Sequence, residues 1–301
     1  MNREAPMVSV VMPSYNCNAY ISQAIESVLC QTHNNFELII VDNNSSDGTM
    51  ETIESFNDDR IKLQSCQNHG VIAKSRNIGI NSAKSDVVAF LDADDFWYPT
   101  KLEDCIPLLD DRDALVYHSE LWFDDFGNSK NVNYGSGTRT LYKNLLNRGN
   151  VLSTSSVVTT KSLLNKVGGF CEDDRYITAE DYDLWMRLAR DGASFVYVDR
   201  VLGAYRIHAK NTIKQEEVHE QAMISVLTDH FQFSDANNLK LRRRLSDLYA
   251  ESGFTNARMG QTKISLKKFG QALRKFPLGL RGLALLVASI PHYFGFSKRS
   301  L

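Results

Sequence analysis

The stretch from Asp86 to Asp95 reads DVVAFLDADD, an apolar, β-branched run that stops at a cluster of carboxylates. Such a run is typical of a strand that is buried on both faces. Two similar runs precede it, from Val8 to Met12 and from Phe36 to Val41, and the residues that end them are Pro13 and Asp42. The sequence therefore predicts three buried strands in its first hundred residues.

Helical patterns separate these strands. Apolar residues recur at helical spacing between Tyr20 and Leu29, a second helix can begin at Asp47-Gly48-Thr49, and a third is predicted from Val71 to Ala83. Alternating strands and helices predict an α/β fold in which helices cover both faces of a mostly parallel sheet. Ligands bind such sheets at the carboxyl ends of the strands, so Asp42 and Asp92 become candidate site residues.

The rest of the chain follows a different pattern. From Ala114 to His208 we predict short strands and one helix, from Asp181 to Arg190. Beyond residue 214 the sequence is helical and basic, and Leu248 to Pro277 predicts a helical hairpin. The chain thus divides into a domain over residues 1–214 and a helical extension over residues 215–301.

Composition excludes several classes of protein. With 301 residues, 43% hydrophobic and 23% charged, the chain matches soluble globular proteins rather than disordered or fibrous ones. The five cysteines are widely spaced and form no C-x-x-C pair, which argues against a disulfide framework or a zinc knuckle. No apolar signal-peptide core precedes the first strand. A reducing, cytoplasmic setting is therefore expected.

The charge is unevenly distributed. Residues 238–301 contain 13 Lys or Arg and 2 acidic residues, although the whole chain has a net charge of -2. A basic tail on an acidic body predicts an anionic partner, either a membrane surface or nucleic acid. Few aromatic residues accompany the cluster Arg242–Arg244, so nucleic acid is the less expected of the two.

The last segment, Gly282 to Ser297, contains no charged residue. Its 16 residues would span ~24 Å as a helix, less than the ~30 Å hydrocarbon core of a bilayer. It can pack as a core helix or lie in a membrane interface. Flanking bases, among them Lys267, Lys268 and Arg274, favour the interface, because each contributes about 1 kcal/mol near an anionic leaflet.

Several clusters carry candidate chemistry. Asp92 and Asp94 at a strand end can bind a hard divalent cation, Mn²⁺ or Mg²⁺, or they can simply form a turn. Glu180 and Asp181 can stabilise a helix N-terminus, or one of them can act as a general base. Gly168-Gly169 can end a helix. No G-x-G-x-x-G or G-x-x-x-x-G-K-[ST] motif occurs, which argues against dinucleotide-binding enzymes and P-loop NTPases.

Taken together, eight ordered segments resemble family 2 glycosyltransferases over roughly residues 7 to 212. They are Val8–Asn16, Ile21–Thr32, Phe36–Gly48, Arg76–Gly79, Leu91–Asp95, Gly168–Phe170, Glu180–Trp185 and Tyr205–His208. The resemblance implies a GT-A fold over residues 1–214 and inverting transfer of a sugar from a nucleotide-diphospho-sugar. Such enzymes commonly assemble cell-surface polysaccharides or glycolipids.

The resemblance also implies individual roles. Asp181 would be the general base, with Glu180 as the secondary candidate. Asp94 would coordinate the metal, His208 would complete the metal or diphosphate shell, and Asp95 is a further candidate there. Donor-binding residues would be Pro13, Tyr15, Asp42, Asn43, Arg76, Gly168 and Gly169, together with Asp92, which would reach the ribose or the metal.

One departure concerns the nucleobase. Asn43 stands where the family often has an Asp that accepts the uracil N3–H, so a UDP-sugar is the leading donor but another base stays open. The processive signature Q-x-x-R-W is absent after Asp181, which predicts addition of a single sugar. The acceptor would be a sugar or a lipid-linked sugar, and the enzyme would be cytoplasmic, with peripheral contact to the inner membrane face through its basic extension.

Two alternatives to this function stay open from the sequence. A nucleotidyltransferase shares a similar sheet and metal, but Ser14–Ala19 is not the basic, Gly-rich loop that would hold a triphosphate. A non-catalytic nucleotide-sugar-binding module would not need both Asp94 and Asp181.

Overall fold

The apolar runs at the start of the chain form adjacent parallel strands in the computed structural model, which describes residues 7–109, 113–135, 142–208, 216–233 and 238–277. Strand β1 (Val8–Ser14) lies between β2 (Phe36–Asp42) and β4 (Val87–Phe90), and β3 (Ile61–Ser65) pairs with β2. Every residue of β1 and β2 is buried. The predicted buried strands are confirmed.

Helices cover both faces of this parallel block. They are α1 (Ile21–Leu29), α2 (Thr49–Glu54) and α3 (Ile72–Ser82), close to the predicted bounds. On one face, Met12 of β1 belongs to the same apolar cluster as Ile25 of α1. On the other face, Gly79 of α3 lies so close to Val11 that a Cβ at this position would overlap it.

The second half of the sheet is mixed. Strand β8 (Val158–Thr160) runs antiparallel to β4 and to β6 (Ala114–Asp124), whereas β9 (Ser194–Ile207) runs parallel to β6. The edge strands β5 (Phe96–Trp97) and β7 (Ser129–Val132) are antiparallel to β9 and β6. The strand order is β3-β2-β1-β4-β8-β6-β9-β5, with β7 beside β6.

Our prediction of short strands in this half is wrong for two of them. β6 has 11 residues and β9 has 14, and they pair over their whole lengths with a bulge near Ser119. Both strands mix apolar, aromatic and charged residues. Pairing between them, rather than a continuous apolar run, sets their length.

The remaining helices of this half are α4 (Lys101–Cys105), α5 (Tyr142–Arg148), α6 (Lys161–Lys166) and α7 (Glu180–Arg190), and α7 confirms the helix predicted there. Short 3₁₀ turns occur at residues 106–108, 154–156 and 174–176. The described residues form two compact units, one with the sheet, α1–α4, α6 and α7, and one with the C-terminal helices; α5 is divided between them.

The second unit contains α8 (Glu216–Phe231), α9 (Asn238–Arg258) and α10 (Thr262–Lys275). α9 and α10 form the predicted hairpin, and they approach closely because Gly253 leaves room for the ring of Phe269. Lys268 is buried in an ion pair with Glu220, 2.5 Å apart. It therefore cannot serve as a flanking base at a membrane, contrary to the sequence analysis.

The apolar segment Gly282–Ser297 lies outside the described residues. Among the residues that are described, no helix is long and apolar enough to cross a membrane.

Candidate active site

The carboxylates that follow β4 are fixed by the turn at residues 154–156. The Ser155 hydroxyl accepts the Asp92 N–H at 3.1 Å and donates to the Asp95 carboxylate at 2.6 Å. The other oxygen of Asp95 accepts the N–H of Arg206 in β9 at 2.9 Å. Asp95, a further candidate for the metal shell, therefore uses both oxygens to tie the loop to the sheet, and burial followed by neighbouring carboxylates raises its pKa.

Ser155 itself was missed by the sequence analysis. It stands in an ordinary serine- and threonine-rich stretch, Ser153 to Ser156, with no motif around it. Its carbonyl accepts both the Trp97 indole N–H and the ammonium of buried Lys101. Ser155 thus fixes the position of the loop Asp92–Asp95, which we call the acidic loop.

Asp94 and His208 lie together, as the resemblance implies. The Nε2 atom of His208 is 2.9 Å from Oδ2 of Asp94, and the ring of His208 packs 4.8 Å from that of Tyr20. His208 directly follows β9, which carries it to the acidic loop after β4. In the described part of the chain no three His, Cys, Asp or Glu side chains are grouped to hold a metal by themselves.

Asp92 is instead paired with Arg76. The Arg76 guanidinium, buried at the middle of α3, donates to both oxygens of Asp92 at 2.8 and 3.1 Å and to Glu180 Oε1 at 2.5 Å. It also lies 5.2 Å from the centre of the Phe170 ring. Arg76 thus links the acidic loop to the start of α7. The family resemblance implied that Arg76 binds the donor, and it did not predict this link.

Asp181 is the accessible carboxylate of the Glu180–Asp181 pair. Glu180 is buried against Arg76, whereas Asp181 is partly exposed and accepts the Tyr182 N–H at 2.6 Å and the Asn150 side-chain amide at 3.0 Å. Burial and then the Glu180 charge raise the pKa of Asp181 to about 7, against the lowering effect of Arg76. A carboxyl group with this pKa is suited to accept a proton near neutral pH.

The residues predicted at the nucleoside end follow β1 and β2. Pro13 is buried inside β1 and Tyr15, just after it, is 60% exposed. Asp42 is fully buried, accepting hydrogen bonds from the Ser14 and Ser45 hydroxyls at 2.7 and 2.6 Å, so it shapes the loop. Asn43 accepts the Asn68 N–H through Oδ1 at 2.8 Å. The side-chain NH₂ group of Asn43 takes no part in this bond.

The backbone conformation at residues 168 and 169 favours glycine at both positions. Both have positive φ, +82° and +70°, and their N–H groups bond back to carbonyls of α6, as at a helix C-terminus. A Cβ at Gly169 would also lie 2.7 Å from Oδ1 of Asn77. The interpretation of these glycines as a helix end is confirmed, and their implied approach to the donor sugar stays a prediction.

The comparison with known families decides the class of protein. The sequence profile described as Glycosyl transferase family 2 matches residues 9–168, more than half of the chain. The chain belongs to this family. Membership favours the glycosyltransferase over the nucleotidyltransferase alternative. Asp181 and His208 lie beyond the matched residues, so their roles stay predictions.

Relatives within family 2 include two enzymes from Escherichia coli. WfgD and WfaP are both described as UDP-Glc:alpha-D-GlcNAc-diphosphoundecaprenol beta-1,3-glucosyltransferases. WfgD is 33% identical over 186 residues, which cover 62% of this chain and 70% of WfgD. WfaP is 29% identical over 213 residues, which cover 67% of this chain and 78% of WfaP.

Solved structures confirm the GT-A fold. TarS residues 1–349 from S. aureus, in complex with UDP, superposes with a TM-score of 0.61 at 18% identity, covering 95% of this chain and 88% of TarS. Mannosyltransferase PcManGT from Pyrobaculum calidifontis, in complex with GDP-Man and Mn²⁺, gives a TM-score of 0.60 at 18% identity, covering 96% and 82%. At this identity the likeness shows the fold alone.

Proposed function

We propose that this family 2 glycosyltransferase moves a single sugar from a UDP-sugar to a hydroxyl group of a lipid-linked sugar, with inversion and with the help of a divalent metal. The observation that carries the proposal is the bridge Asp92–Arg76–Glu180. It joins a loop suited to a metal-bound diphosphate to a helix start that presents a partly exposed carboxylate of raised pKa, Asp181.

Asp94 and His208 are the proposed metal ligands. Nε2 of His208 and Oδ2 of Asp94 are 2.9 Å apart, so both atoms would be available to the same ion once it replaces the contact between them. Mg²⁺ typically binds one or two protein carboxylates and takes its remaining ligands from water and substrate phosphates, so Asp94 would be the charged protein ligand and His208 the additional one. When bound, such an ion stabilises the negative charge that develops on the departing diphosphate.

Asp181 is the proposed general base. Its carboxylate takes the proton of the acceptor hydroxyl while that oxygen bonds to the anomeric carbon from the face opposite the diphosphate. The bond between the anomeric carbon and the diphosphate oxygen breaks, and the nucleoside diphosphate leaves with the electron pair. Glu180 raises and Arg76 lowers the pKa of this base, and the Asn150 side-chain amide donates a hydrogen bond to one of its oxygens.

The substrate classes are proposed from the relatives. The names of WfgD and WfaP specify UDP-Glc as donor and a diphosphoundecaprenol-linked sugar as acceptor, and TarS has been crystallised with UDP and with UDP-GlcNAc. A lipid-linked acceptor requires access to a membrane surface. We therefore infer peripheral membrane association, for which the basic C-terminal extension is the candidate contact.

Release of the nucleoside diphosphate tests this function. The full chain is incubated with a panel of UDP-, GDP- and dTDP-sugars, Mn²⁺ or Mg²⁺, and a GlcNAc-diphospho-lipid. We expect UDP release that depends on the acceptor, and a product whose anomeric configuration is opposite to that of the donor. A product of retained configuration, or binding of UDP-sugars without turnover on any acceptor, would contradict the proposal, the second result favouring a non-catalytic module.

A further inference from the structure

Beyond the acidic loop, β6 and β9 carry a pair of stacked aromatic rings. Trp122 and Tyr205 are register partners in the two strands, and their ring centres are 4.9 Å apart at 33°. On the side of β6 away from β9, Trp122 has Lys130 of β7 as its register partner. The Lys130 ammonium lies 5.2 Å from the centre of the indole ring. Both aromatic side chains are partly exposed.

A buried chain of hydrogen bonds fixes this pair from behind. The Trp122 indole N–H donates to the Tyr134 hydroxyl at 3.2 Å, and that hydroxyl donates to Glu120 Oε2 at 2.5 Å. Glu120 is 1% exposed and accepts a second bond from Ser153 at 3.1 Å. The indole is therefore held in one orientation, as a binding surface requires.

The hydroxyl of Tyr205 has no hydrogen-bond partner among the residues that the structure describes. Its chain neighbour Arg206 donates its backbone N–H to Asp95 at 2.9 Å, and His208, directly after the same strand, contacts Asp94 at 2.9 Å, so Tyr205 lies next to the loop that carries these carboxylates. Burial and these carboxylates raise the pKa of Tyr205, which keeps the phenol protonated. Tyr205 therefore presents a hydrogen-bond donor at the edge of the reaction centre.

We propose that Trp122, Tyr205 and Lys130 form the acceptor subsite, which binds the sugar diphosphate end of the acceptor. A sugar ring packs against the part of the Trp122–Tyr205 pair that is left exposed, the Tyr205 hydroxyl donates to a sugar oxygen, and the Lys130 ammonium contacts a phosphate. This inference rests on the proposed function, since it names the group that recognises the acceptor of that reaction.

Two acceptors separate the sugar from the phosphate contribution. One is GlcNAc diphosphate on a short alkyl chain, and the other is the matching alkyl GlcNAc glycoside without the diphosphate. Trp122→Ala and Tyr205→Phe are expected to raise the KM of both acceptors about tenfold while the donor KM stays within twofold. Lys130→Ala is expected to raise the KM of the diphosphate acceptor alone.

Phe126→Ala is the matched control. Phe126 is 91% exposed in the turn between β6 and β7, so its loss should change neither KM. Titration calorimetry of each acceptor in the presence of UDP gives the same comparison without turnover. Acceptor affinities of Trp122→Ala and Tyr205→Phe within twofold of wild type would overturn the subsite, as would an equal rise in the donor KM.

An equal effect of Lys130→Ala on both acceptors would overturn its contact with phosphate. A wild-type chain that binds both acceptors but transfers no sugar would count against the proposed function and leave the subsite supported. If the wild type binds neither acceptor, the subsite is wrong.

Discussion

Asp181 directly follows the buried Glu180 at the start of α7, and the negative charge of Glu180 and the positive charge of Arg76 act on its carboxylate in opposite directions. Because its pKa is raised to about 7, the unprotonated form that can accept a proton is lost as the pH falls through neutrality. We therefore predict that kcat/KM decreases below about pH 7, approaching a tenfold loss per pH unit. The measurement is a pH–rate profile at saturating metal.

The companion variant is Glu180→Gln. Removing the neighbouring negative charge should lower the pKa of Asp181 and shift the acid limb of the profile to lower pH. Glu54→Gln, at an exposed position of α2, is the control and should leave the limb in place. If Glu180→Gln does not move the limb, Asp181 is not the titrating group.

Metal binding is tested at Asp94. Asp94→Asn should abolish sugar transfer and remove the effect of Mn²⁺ on donor affinity, because the charged ligand of the Asp94–His208 pair is lost. Calorimetric titration of the UDP-sugar with and without Mn²⁺ measures this. Asp174→Asn, an exposed carboxylate before α7, is the control. Normal turnover of Asp94→Asn in excess EDTA would refute the metal assignment.

The sequence predicts which residues belong to this site better than it predicts which contacts they make. The contact between Asp94 and His208 follows from the family resemblance, since neither spacing nor composition brings residues so far apart in sequence together. The pairing of Arg76 with Glu180 and the support from Ser155 could not be predicted. They depend on how α7 and the 154–156 turn dock on the sheet, and no local pattern encodes that docking.

At the scale of elements, the end of α6 provides a matched pair of glycines. Gly168→Ala and Gly169→Ala should both cost roughly 1–2 kcal/mol, because both positions have positive φ. Gly169→Ala should cost about 1–3 kcal/mol more, since its Cβ would lie 2.7 Å from Asn77 Oδ1, whereas nothing lies within 4 Å of a Cβ at Gly168. Urea denaturation of both variants measures the difference.

Asn77 itself provides the check on this interpretation. In the background of Asn77→Ala the extra cost of Gly169→Ala should disappear, because the overlapping atom is gone. Equal free energies of unfolding for the two glycine variants in the wild-type background would show that the close approach to Asn77 does not constrain the turn.

The strands differ in whether their own residues are enough to predict them. β1, β2 and β4 are fully or nearly fully buried and consist mostly of apolar residues, so the sequence predicts them directly. β6 and β9 are long because they pair with each other, with polar residues at many positions. A pattern based on one segment at a time cannot show such a partnership.

For the whole molecule, the prediction concerns the basic extension. Residues 278–301, which include the apolar segment Gly282–Ser297, lie outside the described residues, and the hairpin α9–α10 before them carries exposed bases such as Lys263, Lys267 and Arg274. We predict that the full chain co-sediments with vesicles containing anionic lipid at low salt. Deleting residues 278–301 should reduce binding at least several-fold, while sugar transfer to a short-chain acceptor in solution is kept.

Neutral phosphatidylcholine vesicles are the control for charge. Absence of sedimentation with anionic vesicles, or unfolding of the truncated chain by circular dichroism, would show that the extension does not anchor the protein to a membrane. The double variant Lys268→Met/Glu220→Leu tests whether Lys268 contributes to membrane binding. It removes both partners of the buried ion pair, so no unpaired charge is left in the interior, and vesicle binding should be unchanged.

The assignment of one carboxylate as the general base is the centre of the account, and Asp181→Asn tests it most directly. Donor affinity, measured by calorimetry with the UDP-sugar and Mn²⁺, should stay within a few-fold of wild type, whereas kcat should fall by about 10²–10⁴. If donor affinity and kcat are lost together, or if kcat is unchanged, Asp181 does not take the acceptor proton.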